Sequence, residues 1–327
     1  MVGRELSEII PSLLMTEIRL LMVFRSSRLL QGENFMTELA GMCTPVCTPF
    51  TEYGQAFDEP AFLMQLDAML DAGMHIIAIA GGTGEFAFLT KDERYRMAEL
   101  AARHVDGKAQ LIIQTSALIT DEAIEYSKHA EDVGADVLLV LPPYFEGPDE
   151  SGVLYHYEKI TKSVNVPIMA YNIPVHSGFD VTPALFIKLM EVGNIQYIKD
   201  STGDMLRLEE LVAVGARVFN GCDYLNPYAL MAGCIGCFSG AGNVMPREFV
   251  ELYNLCSEKR YQEALQLWDR LKAASRFFWT HPFNTAIKAA TNMTERSVGP
   301  VRLPVQPLSA EHYEALTKVM APVLEKQ

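Results

Sequence analysis

From residue 40 onward, short apolar runs alternate with longer segments in which apolar residues recur every three or four positions. The short runs predict β-strands and the longer segments predict amphipathic helices. The predicted strands cover residues 42–48, 75–80, 110–115, 136–141, 166–171, 195–199, 217–220 and 235–239. The predicted helices between them cover residues 59–72, 91–104, 121–133, 152–163, 183–191, 204–214 and 226–231. Strands that are apolar throughout are typical of a parallel sheet buried on both faces.

The number of strand–helix units favours one α/β architecture. Eight units predict a closed (β/α)8 TIM barrel rather than an open doubly wound sheet, with the barrel core over residues 39–245. Four further helical segments, at 247–256, 260–278, 282–291 and 310–324, exceed what a barrel needs. We therefore predict a closing helix and a small C-terminal helical region over residues 246–327. Residues 1–38 carry no motif and are expected to form a poorly ordered N-terminal extension.

Charge and composition narrow the classes of partner. The chain has 327 residues and a formal net charge of −14, which argues against nucleic acid or an anionic membrane as a partner. No apolar run approaches the roughly 18 residues of a membrane helix. Cys234 and Cys237 have a spacing compatible with a zinc or redox site, but their Gly, Ile and Phe neighbours favour small buried thiols. We expect no metal, no cofactor and a reducing cytoplasm.

The end of the sixth predicted strand carries a candidate nucleophile. Lys199 is the last residue of that strand and precedes the turn Asp200-Ser201-Thr202-Gly203-Asp204. The carboxyl ends of barrel strands carry the functional groups of this fold. A lysine shielded from water there can attack a carbonyl carbon and form a Schiff base. Taken alone, the segment favours a lysine whose tip reaches solvent.

Two other strand ends carry residues suited to the same chemistry. After the second strand comes Gly81-Gly82-Thr83-Gly84-Glu85, whose glycines let backbone N–H groups approach a carboxylate or phosphate. The fifth strand ends at Tyr171, one strand away from Lys199, and its phenol could relay protons to and from a carbinolamine. Each feature also has a structural explanation, as a common turn and as a core tyrosine bonded to a carbonyl.

Taken together, these segments resemble the dihydrodipicolinate synthase / N-acetylneuraminate lyase family. The matching pieces are Cys47-Thr48-Pro49-Phe50, Gly81-Gly82-Thr83-Gly84-Glu85 with Leu89-Thr90, Pro142-Pro143-Tyr144, Tyr171-Asn172-Ile173-Pro174 and Ile198-Lys199-Asp200-Ser201-Thr202-Gly203-Asp204. The resemblance implies a barrel that assembles as a homotetramer and holds a 2-oxo acid, commonly pyruvate, as a Schiff base.

The resemblance also implies roles for individual residues. Lys199 corresponds to the Schiff-base lysine and Tyr171 to the proton-shuttling tyrosine. Gly82 and Thr83 lie in the loop that holds the substrate carboxylate. Thr48, His176 and Ser201 are further expected substrate contacts. For Ser201 a helix-capping role is the alternative.

Three departures from the synthase branch affect the predicted function. Gly82 replaces the first of two threonines, Phe145 replaces a second relay tyrosine, and His176 replaces a carboxylate-gripping arginine. We therefore predict an aldolase that cleaves or forms a 2-keto-3-deoxy sugar acid from pyruvate and an aldehyde. The alternatives are a keto-deoxy sugar acid dehydratase of the same family, dihydrodipicolinate synthase itself, and a non-catalytic barrel that binds a small acid.

Overall fold

The eight predicted strands form one closed sheet. The computed structural model describes residues 38–324, so the extension predicted over residues 1–38 lies outside the described residues except for Glu38. All neighbouring strands are parallel and pair in chain order, and the eighth pairs with the first, which confirms the predicted TIM barrel. The strands are β1 (Gly41–Pro45), β2 (Ile76–Ile79), β3 (Gln110–Gln114), β4 (Val137–Val140), β5 (Ile168–Asn172), β6 (Ile195–Asp200), β7 (Arg217–Asn220) and β8 (Gly236–Phe238).

Helices surround this sheet and continue after its last strand. Those between the strands are α1 (Glu59–Asp71), α2 (Lys91–Val105), α3 (Thr120–Val133), α4 (Glu150–Thr161), α5 (Pro174–Ser177), α6 (Pro183–Val192), α7 (Met205–Ala213) and α8 (Asn226–Met231). After β8 come α9 (Pro246–Ser257), α10 (Tyr261–Thr280), α11 (Phe283–Thr291) and α12 (Ala310–Leu324). No helix in residues 38–324 is long and apolar enough to cross a membrane. The short helix α5 was not predicted, because four residues contain too few positions to establish a helical period.

Capping residues mark the first turns of several helices, close to the starts that the sequence predicts. Thr182 caps α6 by accepting a hydrogen bond from the Leu185 N–H, and Pro183 occupies the first helical position, whose N–H has no helical partner. Thr90 and Glu93 form a reciprocal capping box at the start of α2. These caps fix where each connection from strand to helix ends.

Alternation along the strands separates the barrel interior from the layer under the helices. Ile77, Ile113 and Val140 belong to the hydrophobic core between sheet and helices. Side chains at the alternate positions face the interior, because successive residues of a strand point to opposite faces. Phe219 makes edge contacts with both Tyr197 and Phe238 there, with ring centres 6.4 and 5.9 Å apart. These rings fill the barrel below the strand ends.

The helices after β8 join the barrel rather than forming a separate unit. From Ala40 onward the chain is one compact unit. Helix α9 contacts β1, and α11 contacts the short segment Gly240–Asn243 that follows β8. The side chain of Asn243 accepts a hydrogen bond from the Cys47 N–H (2.9 Å) and donates to the Pro45 carbonyl (3.0 Å), which joins the ends of β8 and β1. Helix α11 therefore lies close to the carboxyl ends of the strands.

Candidate active site

Lys199 lies in the interior of the barrel, near the carboxyl end of β6. Its side chain is buried, with 6% of the residue exposed, and Nζ lies 4.1 Å from the ring centre of Tyr171 and 4.3 Å from that of Phe238. Among the described residues no acidic side chain forms an ion pair with it. The amine is therefore held between two aromatic faces, and the solvent-reaching alternative is wrong.

Tyr171 links the lysine to the glycine turn, as we call residues 81–85. Tyr171 and Lys199 are register partners on β5 and β6. The Tyr171 hydroxyl lies 3.6 Å from the position that a Cβ atom would take at Gly82. The structure thus brings together Lys199, Tyr171 and Gly82, although they lie on three different strand ends.

The glycine turn presents unused hydrogen-bond donors. Within the described residues, the backbone N–H groups of Gly82 and Thr83 and the Thr83 hydroxyl have no acceptor. Thr83 is nevertheless buried. Clustered N–H groups in a turn form an anion-binding concavity. The turn is therefore suited to hold a carboxylate close to the Tyr171 hydroxyl.

Thr48, which follows β1, supports the glycine turn. Its hydroxyl donates to the Gly84 carbonyl over 2.6 Å, and the residue is fully buried. In this arrangement the hydroxyl proton is used in the bond to the turn and is not available to a ligand. Thr48 thus acts on the site through the turn.

Ser201 lies beside the lysine and has no hydrogen-bond partner for its hydroxyl among the described residues. A Cβ added at Gly221 would lie 2.0 Å from Ser201 Oγ and 3.0 Å from Lys199 Cε, so both atoms border the same glycine. The helix-capping alternative is wrong, because Asp204 caps α7 with its carboxylate. Ser201 is therefore a buried hydroxyl next to the candidate nucleophile.

A polar network fixes the two strands that carry Tyr171 and Lys199. The residues that follow them, Asn172 and Asp200, are also register partners, and Asn172 Nδ2 donates to Asp200 Oδ2 over 2.8 Å. Burial raises the pKa of the Asp200 carboxyl, while the hydrogen bonds it receives act in the opposite direction. Asn172 also donates to Asp180 (3.0 Å), whose pKa is lowered by its paired hydrogen bonds from Arg207.

Two polar side chains in the barrel escaped sequence analysis. Asp223 follows β7, is fully buried, and accepts hydrogen bonds from Ser239 Oγ (2.7 Å) and the Ala241 N–H (3.0 Å). Burial raises the pKa of its carboxyl, an effect opposed by these bonds and by the nearby Lys199. Gln114, at the end of β3, has no partner for its buried amide among the described residues. Their positions could have identified them, since Gln114 ends β3 and Asp223 lies in the loop after β7, where this fold carries its functional groups.

Other predicted residues lie away from Lys199. His176 is exposed on α5, and Phe145 is 80% exposed after β4, so neither contacts Lys199 within the protomer. The six cysteines are buried free thiols, as predicted. Burial raises the pKa of Cys47 and of Cys234 to about 12. No group of three or more His, Cys, Asp or Glu side chains suited to a metal ion occurs in residues 38–324.

Known proteins share both the sequence pattern and this fold. The family model described as the dihydrodipicolinate synthetase family matches residues 38–322. The 4-hydroxy-tetrahydrodipicolinate synthase of Bartonella bacilliformis is 34% identical over 274 residues, covering 83% of this chain and 93% of that protein.

Two solved structures extend the likeness to three dimensions. A putative dihydrodipicolinate synthetase from Pseudomonas aeruginosa is 31% identical with a TM-score of 0.83, covering 88% of this chain and 100% of that one. A chloride-inhibited dihydrodipicolinate synthase from Acinetobacter baumannii, complexed with pyruvate, is 27% identical with a TM-score of 0.84, covering 87% of this chain and 99% of that one.

These matches agree with the resemblance drawn from the motifs. Members of the family are pyruvate-dependent lyases and synthases that use a lysine Schiff base. The family model spans the whole barrel and all but the last residues of the described C-terminal helices. This chain therefore belongs to the dihydrodipicolinate synthetase family and is an enzyme of the class I aldolase type.

Proposed function

We propose that this enzyme cleaves a 2-keto-3-deoxy sugar acid into pyruvate and an aldehyde, and catalyses the reverse condensation. One observation carries the proposal: the buried amine of Lys199 lies against the ring of Tyr171, whose hydroxyl borders the glycine turn. An amine, a proton carrier and a carboxylate cradle are the groups that Schiff-base chemistry on a 2-oxo acid requires.

The proposed reaction uses each of these groups in turn. Lys199 Nζ attacks the C2 carbonyl carbon, and Tyr171 gives its proton to the carbinolamine hydroxyl, which leaves as water and forms an iminium. Tyr171, now a phenolate, accepts the proton of the C4 hydroxyl, the C3–C4 bond breaks, and its electron pair moves toward the iminium nitrogen. An aldehyde departs and the enamine of pyruvate remains on Lys199. Protonation of the former C3 carbon and addition of water then release pyruvate and restore the amine.

The substrate carboxylate is assigned to the glycine turn. Its charge would be met by the N–H groups of Gly82 and Thr83 and by the Thr83 hydroxyl, which have no acceptor among the described residues. The similar enzyme from Acinetobacter baumannii was solved in complex with pyruvate, the 2-oxo acid that the proposed cleavage releases. Thr48 contributes by holding the Gly84 carbonyl.

One observation favours a second candidate, dehydration of the same acids. Ser201 places an unpaired, buried hydroxyl beside the lysine side chain. If the proton leaves C3 of the iminium instead, a nearby hydroxyl can assist departure of the C4 oxygen as water. This path keeps all carbons in one chain. It differs from aldol cleavage in releasing no pyruvate.

Product analysis separates these functions. The enzyme is incubated with C5 and C6 2-keto-3-deoxy acids, and pyruvate and the remaining acids are identified by mass spectrometry. Pyruvate and an aldehyde in equal amounts support the aldolase. A longer oxo acid with every carbon retained supports the dehydratase instead. If borohydride traps no adduct with pyruvate or any longer 2-oxo acid, the Schiff-base proposal itself is wrong.

The proposed assembly is a homotetramer, the state implied by the family resemblance. Phe145 and Val175 follow β4 and β5, and each is 80% exposed in the protomer. We expect a second subunit to cover apolar positions of this kind. Sedimentation equilibrium gives the test, since a tetramer has four times the protomer mass of 36.4 kDa.

A further inference from the structure

We infer that helix α11, through Asn284 and Lys288, fixes the glycine turn and thereby sets the enzyme's affinity for the carboxylate of its 2-oxo acid. The inference rests on the proposed function, in which this turn receives the carboxylate. Neither residue borders Lys199 or Tyr171 in the contacts described above. They are therefore positioning residues, which act through the turn.

Asn284 orients the peptide at the centre of the turn. Its Nδ2 atom donates to the Gly82 carbonyl over 2.8 Å, and the same oxygen accepts the Glu85 N–H over 3.0 Å. The Gly82–Thr83 peptide is trans, so its carbonyl and its N–H point in opposite directions. Holding the Gly82 oxygen toward α11 directs the Thr83 N–H away from the helix. That N–H is one of the donors left without an acceptor.

Lys288 holds the other end of the turn. Its Nζ atom lies 2.6 Å from Glu85 Oε1, and the two side chains are 2% and 0% exposed. Nζ also donates to the Pro300 carbonyl over 2.8 Å, and the Arg302 N–H donates to Glu85 Oε2 over 3.2 Å. Glu85 has a φ of 56°, in the left-handed region that is unfavourable for residues other than glycine. The buried pair thus holds Glu85 in a conformation that it would not adopt freely.

The supporting side chains all contact acceptor groups of the glycine turn. Asn284 and Lys288 are four residues apart and so lie on one face of α11. With Thr48, they bind three groups of the turn, the Gly82 carbonyl, the Gly84 carbonyl and the Glu85 carboxylate. All three groups are acceptors. These three groups are thus committed to the supports of the turn, which leaves the N–H groups of Gly82 and Thr83 for an incoming anion.

A positioning role predicts a specific kinetic signature. Loss of the Asn284 contact lets the Gly82–Thr83 peptide rotate, which weakens a hydrogen bond to the carboxylate but leaves Lys199 and Tyr171 in place. Asn284→Ala should raise the half-saturating pyruvate concentration for borohydride trapping about tenfold. The trapping rate at saturating pyruvate should stay within about twofold of the wild-type rate, because the amine itself is unchanged.

The chain offers a matched control on the same helix. Asn292, at the end of α11, donates from Nδ2 to the Gly299 carbonyl over 2.8 Å. Asn292→Ala removes this bond, and also the two that Asn292 Oδ1 accepts from the Val298 N–H and Ser297 Oγ, without touching the glycine turn. It should leave the half-saturating concentration unchanged. An equal rise in both variants would mean a general effect on the helix and would overturn the inference.

A second variant tests the buried pair without leaving a lone charge. Glu85→Gln combined with Lys288→Met removes both charges and keeps side chains of similar size. It should also raise the half-saturating concentration while the protein still unfolds cooperatively. Suppose that the wild-type enzyme forms an adduct, and that Asn284→Ala and the double variant both show the same dependence on pyruvate concentration as wild type. The positioning role is then refuted and the Schiff-base function stands. If wild type forms no adduct with any 2-oxo acid, both proposals fall together.

Discussion

Tyr171 and Lys199 face each other as register partners on neighbouring parallel strands, with Lys199 Nζ 4.1 Å from the centre of the tyrosine ring. The next pair along the same strands, Asn172 and Asp200, is joined by a hydrogen bond of 2.8 Å. The pair proposed to react is thus followed along the strands by a hydrogen-bonded pair that fixes their spacing. Rigid placement of this kind keeps catalytic groups within reach of one substrate.

Replacing the lysine tests the proposed nucleophile. Lys199→Ala should abolish turnover and the borohydride-stable adduct, because no other group can form the iminium at this position. The fold should persist, since Lys199 has no ion pair among the described residues and its loss leaves no unpaired charge. Mass spectrometry after trapping with pyruvate checks this. Lys188→Ala, which removes an exposed lysine paired with Glu150, should still form the adduct.

Removing one hydroxyl tests the proton carrier. Tyr171→Phe keeps the ring against Lys199 but removes the group that accepts the C4 proton, so turnover should fall by about two to four decades. Steady-state rates measure the change. Tyr253→Phe is the matched control, because the partly buried Tyr253 hydroxyl donates to the Ile235 carbonyl, just before β8 and away from Tyr171. That variant should lose about 1 kcal/mol of stability and keep its turnover. Equal losses of rate in both variants would contradict the assignment.

The unpaired hydroxyl of Ser201 gives a test of substrate recognition. Ser201→Ala removes a buried group that has no partner among the described residues, so the free enzyme should become more stable by about 1 kcal/mol. The KM for hydroxylated sugar acids should rise about tenfold, while trapping of pyruvate alone stays unchanged. Ser275→Ala removes another unpaired buried hydroxyl, on α10. It should stabilise the fold without changing the KM for sugar acids or the trapping of pyruvate. No change in KM for Ser201→Ala would exclude the contact.

The ion pair of Glu93 with Arg302 should make stability depend on pH. Hydrogen bonds from Arg302 hold the pKa of the Glu93 carboxyl below its ordinary value of 4.5, against the opposing effect of burial. A depressed pKa gives stabilisation that is complete above about pH 4.5 and lost as the pH falls through the folded-state value. Glu93→Gln should therefore cost about 2 kcal/mol at neutral pH, and the difference from wild type should shrink in acid.

Urea unfolding at several pH values measures this difference. Glu59→Gln is the comparison, because the Glu59–Arg96 pair is more exposed, with side-chain exposures of 38% and 42%. Exposed pairs contribute about 0–1 kcal/mol, so that variant should differ little from wild type at any pH. A Glu93→Gln deficit that persists unchanged in acid would mean that the carboxylate charge is not the source.

Condensation of pyruvate with aspartate semialdehyde should be negligible. The arginine that the synthase branch uses at this position is replaced by His176, whose imidazole cannot form the paired hydrogen bonds of a guanidinium with a carboxylate. His176 is also exposed and lies away from Lys199 in the protomer. A coupled assay for the cyclic product checks this. Robust turnover would show that recognition of the second substrate does not need the arginine.

The sequence by itself determined the barrel and its candidate nucleophile. Strands that are apolar along their whole length must be covered on both faces, and eight of them alternating with helices leave few architectures other than a closed parallel barrel. The same pattern placed Lys199 and Tyr171 at strand ends. The Thr182-Pro183 start of α6 was equally readable, because a helix cap depends on neighbouring residues alone.

The tertiary structure decided what each side chain at the site contacts. The Thr48 hydroxyl is committed to Gly84, 36 residues away, and Asn284 reaches Gly82 across 202 residues. Ser201 is an unpaired neighbour of Lys199 rather than a cap, because Asp204 takes the capping position. Periodicity and capping signals act over a few residues, whereas these contacts exist only after the barrel closes and α11 docks beside the glycine turn. The elements could therefore be predicted from local pattern, but the hydrogen-bond partners at the site could not.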